Sequence, residues 1–216
     1  MRHSSLARSP AWLVMAATVV AFAAFAAGCG TTEMVNMWRD PRYDSPPIQS
    51  AFVLAVRKDA VRRRLWEDSF VHQLAKRGVS ATPSYAVYPD DLPDTSVVRD
   101  YVDQKGYDAL FLSMSEGAEA VPKPVVGYTT VDPVTVFQPM WGTYVTYYRD
   151  VYHPGYLETN TAVHIRTDVW RRTGQGEGKL VWSGTSQTVD PTSTTEFSHE
   201  VAELVTHELA KFRVVP

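Results

Sequence analysis

His199, Glu203 and His207 fall at i, i+4 and i+8 of "FSHEVAELVTHELAKF", so a helix would set two imidazoles and a carboxylate on one stripe. That set is the chemistry of a zinc site. The metalloprotease spacing, however, needs a second histidine four residues after the first, and "HEVAE" has Glu203 there. The helical wheel also turns this stripe away from the apolar one, so a solvated polar face and no metal are expected. "RRRLWED", residues 62–68, offers Arg63 with Glu67 and Arg64 with Asp68 at i, i+4. Such pairs add about 0.2–0.5 kcal/mol each on an exposed helix, and this stretch reads as a solvated, self-paired face. There is no G-x-S-x-G, no P-loop and no G-x-G-x-x-G opening a helix after a strand. The expectation is therefore a protein that is not an enzyme and takes no cofactor.

The richest stretch for recognition is 121–157. It carries six of the eleven tyrosines, Tyr128, Tyr144, Tyr147, Tyr148, Tyr152 and Tyr156, with Phe137 and Trp141 among them. Tyrosine offers a large contact area on few rotatable bonds and a hydroxyl that tolerates water, which suits interfaces. Trp141, Tyr144, Tyr147, Tyr148 and Tyr152 are accordingly the candidate partner-binding residues. The competing reading has these aromatics fold back over an open sheet edge. Five prolines, Pro122, Pro124, Pro133, Pro139 and Pro154, bar the stretch from central strands, leaving a loop-rich excursion or an edge hairpin.

The single cysteine, Cys29, stands where an apolar run ends. Arg2 and Arg8 precede that run, Ala11 to Ala27, with no acid among the first ten residues, as in the n- and h-regions of a secretory leader. Ala26, Ala27 and Gly28 before Cys29 resemble the lipobox of bacterial lipoproteins, with Ala26 where leucine is usual. The resemblance implies cleavage of residues 1–28, acylation of Cys29, and, because Gly30 rather than Asp follows, a place on the periplasmic face of the outer membrane. The membrane is then one partner, reached through the lipid.

Removing residues 1–28 leaves 188 residues with 19 basic and 24 acidic side chains, a net charge of −5. A mildly acidic chain has no electrostatic footprint for nucleic acid. With one cysteine no intrachain disulfide forms, so stability must come from a hydrophobic core, for which this length suffices in one domain.

Residues 29–50 read as a tether that includes an edge-pairing segment, and 51–216 as a single domain. "AFVLAV", residues 51–56, is a short continuous apolar run of a buried strand. Asp59 and Gly78 bracket a helix whose Trp66, Phe70 and Leu74 form a stripe. A strand near 79–85, a short helix capped by Thr95 or Ser96 and ended by Gly106, and an apolar strand at 107–116 follow. In "NTAVHIRTDVWRR" Val163, Ile165, Thr167 and Val169 alternate with His164, Arg166, Asp168 and Trp170, and "KLVWSGTSQTV" returns after a glycine turn as its hairpin partner. Ser193 with Glu196 makes a capping box for a last helix with Phe197, Val201, Leu204, Val205, Leu209 and Phe212 on its apolar face. The expected fold class is α+β: a mixed sheet with a β-α-β-α-β start, a long hairpin and a C-terminal helix packed on the sheet.

"WRDPRY", "RRRLWEDSF", "GVSATPSY", "YDALFLSMS" and "LVWSGTSQTVDP", in this order, resemble a group of proteobacterial lipoproteins whose activity is not established. More distantly, the β-α-β-α-β start and the hairpin ending in "LVWSG" are similar to periplasmic domains of the curli-secretion lipoprotein and of lipoprotein activators of penicillin-binding proteins. These resemblances imply a periplasmic α/β domain in the cell envelope. Three functions are then in view: a protein-binding module for an envelope partner, a self-associating secretion or scaffold component, and, least favoured, a metal-dependent enzyme.

Overall fold

The structure, a computed structural model, describes residues 32–174 and 176–216; the leader and Cys29 lie outside them. A six-stranded sheet runs in the order β1-β8-β7-β4-β2-β3. Its strands are β1 (Thr32–Arg39), β2 (Ser50–Val56), β3 (Ser80–Pro83), β4 (Ala109–Val125), β7 (Tyr156–Gly174) and β8 (Glu177–Val189). β2 pairs in parallel with both β3 and β4, while β4–β7, β7–β8 and β8–β1 are antiparallel. The mixed sheet follows from the connections. Helices α1 (Ala60–Lys76) and α2 (Thr95–Lys105) are the crossovers that parallel neighbours require, and a tight turn suffices for β7–β8.

"AFVLAV" is continuously apolar because β2 is covered on both faces. Ala51, Val53 and Ala55 point into one cluster with Trp66, Phe70 and Leu74 of α1 and with Val201, Val205 and Leu209 of α3 (Thr194–Lys211). Phe52 and Leu54 point into a second with Val98 and Val102 of α2. In β7 the alternation is as expected: Ile165 and Val169 enter the main core and Thr167 is buried beside them. The Trp66 indole N–H donates to Ser113 Oγ at 2.8 Å, whereas the N–H of Trp182, equally large and fully buried, has no partner among the described residues.

Three details differ from expectation. The edge-pairing segment expected within 29–50 is β1, but Tyr43 and Ile48, also assigned to the tether, join the core, and the compact unit spans Thr32–Pro216. Asp94, not Thr95 or Ser96, is the N-cap of α2, and its side chain makes no capping bond. The third and largest is the ion pair on α1. Arg63 and Glu67 are buried, not solvated, with Arg63 Nε 3.7 Å from Glu67 Oε1. The Glu67 carboxylate accepts from Ala55 N (3.0 Å), Ser84 Oγ (2.5 Å) and Tyr85 N (3.0 Å), and Arg63 donates to the carbonyls of Tyr88 and Asp91. The 84–91 loop folds over this part of α1 and brings the partners that an isolated helix lacks.

Candidate functional site

Beyond Met114 β4 has no β2 partner but continues, paired with β7, as far as Val125 opposite Tyr156. Beyond it β5 (Tyr128–Gln138) and β6 (Thr143–His153) pair with each other as a separate two-stranded sheet, in unbroken register from Tyr128–His153 to Gln138–Thr143. The excursion is thus a long ribbon and not a loop. Trp141 N donates to Gln138 O at 3.2 Å to close its tip, and Gly142 takes the left-handed conformation there, φ 61°. Between the two ladders the strands nearly touch. A Cβ on Gly127 would lie 2.8 Å from Gly155 N, and one on Gly155 2.7 Å from Val125 O, so only glycine fits at this joint.

The tyrosine side chains are not folded back over the sheet edge: Tyr144 is 72 % exposed, Tyr148 71 % and Tyr152 69 %. Strand periodicity sorts the expected residues. Tyr144, Tyr148 and Tyr152 stand on one face of β6, with Phe137, Pro133 and Thr129 opposite them on β5. Phe137 and Tyr144 are in ring contact at 5.1 Å. Tyr147 stands on the other face, with Val134 opposite and Arg149 paired across to Asp132 in register. Trp141, 78 % exposed, occupies the tip beside the equally bare Met140. The five candidate residues therefore divide into a three-tyrosine face, one residue behind it and one at the end. Aromatic cross-strand pairs hold such a ribbon together, each adding roughly 0.2–1 kcal/mol.

A second feature lies on the sheet face that α2 covers only in part. A groove of about 710 Å³ runs between α2, β4, β7 and the β7–β8 turn, floored by Leu110, Leu112, Met114 and Trp170. Asp168, buried, takes both arms of Arg166 (3.0 and 2.8 Å) and the Ser183 hydroxyl at 2.6 Å. Arg166, Asp168 and Ser183 are thus hydrogen-bonded to one another. Alternation in β7 shows Arg166 and Asp168 sharing a face, but nothing in the sequence announces Ser183 from β8 or the approach of Glu116 to Arg166 at 3.9 Å.

His199 does not stand among metal ligands. One ring nitrogen lies 3.7 Å from Glu203 and the other 3.0 Å from Gln73 Nε2 on α1, so it bridges the two helices. Among the described residues no three metal-ligating side chains gather. On the exposed side of α1 the Tyr85 hydroxyl donates to Asp68 at 2.6 Å, and that bond holds the phenol proton, pushing its pKa up to about 12. Burial pushes the Glu67 carboxyl above its ordinary value, against the pull of its backbone and Ser84 donors.

No protein-family model matches the chain. No curated protein matches it either. Among solved structures it is similar to two forms of the PelC dodecamer from Paraburkholderia phytofirmans. One, a single-substitution variant, has a TM-score of 0.43 at 9 % identity, over 82 % of this chain and 96 % of that one. The other has a TM-score of 0.44 at 9 % identity, over 81 % and 95 %. A PDZ domain protein from Parabacteroides distasonis gives 0.37 at 10 % identity, over 85 % of this chain and 38 % of that one. Likeness at this level assigns neither family nor activity.

Proposed function

We propose that this protein is a non-catalytic protein-binding module of the cell envelope, and that its ribbon is the binding element. The observation that supports the reading is the face of Tyr144, Tyr148 and Tyr152, a stretch of aromatic surface on an element that contributes nothing to the two buried clusters. Exposed aromatic surface held on a rigid ladder is the composition of an interface core, where tyrosine and tryptophan supply most of the energy. The lipid anchor is part of the same proposal. Acylated at Cys29, the chain would have only Gly30 and Thr31 before β1 begins, a reach of about 10 Å when extended. The domain then works close against the periplasmic face of the outer membrane, presenting its ribbon to whatever shares that surface.

A photo-crosslinking residue at Tyr148 in intact cells tests the reading. A discrete adduct is expected; its absence at Tyr148, Tyr144 and Tyr152 alike would refute the ribbon as an interface. Cys29→Ser tests the anchor separately, by loss of the lipid-modified N-terminal peptide from its mass spectrum.

A further inference from the structure

Pro122, Pro124 and Pro133 all lie on the β4–β5 arm of the ribbon. A proline has no N–H, so each sits where the backbone nitrogen points away from the paired strand. That sets the parity of the whole β5–β6 ladder. Pro133 faces Tyr148 in a pair without mutual hydrogen bonds, and by the period of two so do Phe137–Tyr144, Thr135–Thr146, Val131–Asp150 and Thr129–Tyr152. On β6 the outward N–H and C=O groups therefore belong to Tyr144, Thr146, Tyr148, Asp150 and Tyr152. No proline interrupts them between Thr143 and His153. One edge of the ribbon is closed to strand addition and the other is open.

The open edge has a sequence that can pair with its own reverse. In "YVTYYRDVY", residues 144–152, a two-fold axis at Tyr148 sets Tyr144 against Tyr152 and Val145 against Val151. It also sets Thr146 against Asp150, Tyr147 against Arg149, and Tyr148 against its own copy. The pairs are aromatic with aromatic, β-branched with β-branched, hydroxyl with carboxylate, and ring with guanidinium, with no like charges opposed. The neighbouring alignments lose this. An axis at Arg149 opposes two guanidinium groups, one at Asp150 two carboxylates, and one at Tyr147 puts Tyr144 against Asp150 and Arg149 against Val145. An axis at Tyr148 also keeps outward groups facing outward groups, as the prolines on the far edge require.

We propose that two copies of this chain pair through antiparallel β6 edges about Tyr148, forming a four-stranded sheet β5-β6-β6-β5 across a two-fold axis. The proposal rests on the reading of the ribbon as an interface and names a second copy as what binds there. The dimer presents the three-tyrosine face of both ribbons on one side of a continuous sheet.

Cysteine pairing in the full chain carrying Cys29→Ser, so that the engineered thiol is the only one, tests this. Hydrogen-bonded antiparallel partners have Cα atoms about 5.5 Å apart, within the disulfide range. Tyr148→Cys should give a disulfide-linked dimer under mild oxidation, at least tenfold more than Tyr147→Cys. Tyr144→Cys and Tyr152→Cys should link only when mixed. Thr146→Pro, which removes an outward N–H as Pro133 does on the other edge, should halve the light-scattering mass while far-ultraviolet circular dichroism stays unchanged. No dimer with Tyr148→Cys and a one-chain mass for the wild type overturn the proposal. If Tyr148 then still gives a photo-adduct with a different protein, the ribbon remains an interface for another partner; if it gives none, both readings fall.

Discussion

Replacing Glu67 by alanine removes the acceptor for two backbone N–H groups, those of Ala55 and Tyr85, and for the Ser84 hydroxyl, all in the buried region beside α1. It also strips the Arg63 guanidinium of its counter-charge, leaving it only the carbonyls of Tyr88 and Asp91. A buried donor left unpaired costs about 1–3 kcal/mol, and breaking a buried ion pair about 3–5 kcal/mol. The two figures count the same loss in part, and water entering the vacated space recovers some of it. The expected net loss is about 3–5 kcal/mol, much of the roughly 5–15 kcal/mol that holds a domain folded. In urea this is a fall in midpoint of roughly 2 M at unchanged slope. Replacing both Arg63 and Glu67 by leucine should not restore the midpoint, as it often does for a simple ion pair, because the Ala55 and Tyr85 N–H groups still lack an acceptor. A loss below about 1 kcal/mol for Glu67→Ala, or recovery in the double variant, would refute the claim that this carboxylate anchors backbone.

Two carboxylates should respond to pH in opposite senses. Asp40 is held below the ordinary carboxylate value by Lys179 and by the Arg42 N–H, so its contribution is present at neutral pH and lost as pH falls through its folded-state value. The stability gap between wild type and Asp40→Asn should shrink from about pH 5 towards pH 2, measured by urea midpoints. Glu67 is raised by burial, so its term is largest at acid pH and is lost as pH rises through its folded-state value; the gap to Glu67→Gln should narrow over that rise. Replacing residues 126–155 by an Asn-Gly turn between Val125 and Tyr156 should leave the stability of the domain, measured by urea unfolding, within about 0.5 kcal/mol of wild type, since the ribbon lies outside both core clusters. Gly184→Ala should destabilise by about 1–3 kcal/mol, because its Cβ would lie 2.4 Å from the Trp182 ring and 2.5 Å from Met34 Cε.

Elements with a single period and a clear cap were legible in the sequence. Ser193 accepts from Glu196 N at the start of α3, Asp59 from Arg62 N at the start of α1, and Gly106 closes α2 in the left-handed conformation. What escaped reading depends on partners distant in sequence. Arg63 and Glu67 have the spacing of a surface pair, and only the loop 84–91 folding over them makes them a buried anchor. β4 runs on through "GAEAVPKPV" because β7 pairs with it there, although no sustained apolar alternation marks the extension and two prolines interrupt it. The candidate residues of the ribbon were visible as an aromatic cluster, but their division between two faces follows from register. The prolines that barred 121–157 from central strands left a loop-rich excursion or an edge hairpin, and it is the hairpin that forms, with Pro133 able to turn its nitrogen outward.

The ribbon also bears on how the sheet assembles. Ala109 and Arg171 are register partners across 61 intervening residues, a closure that would be slow if the two strands had to find each other directly. The tip offers a local start. Gln138 and Thr143 meet across four residues, on the timescale of hairpin formation, about 1–10 μs. Each pair then brings the next within reach, through Tyr128–His153, past the glycine joint, and along Val125–Tyr156 to the centre of the sheet. The element that reaches farthest from the core is therefore the one that can zip its central antiparallel pair together, turning a long-range encounter into a series of short ones.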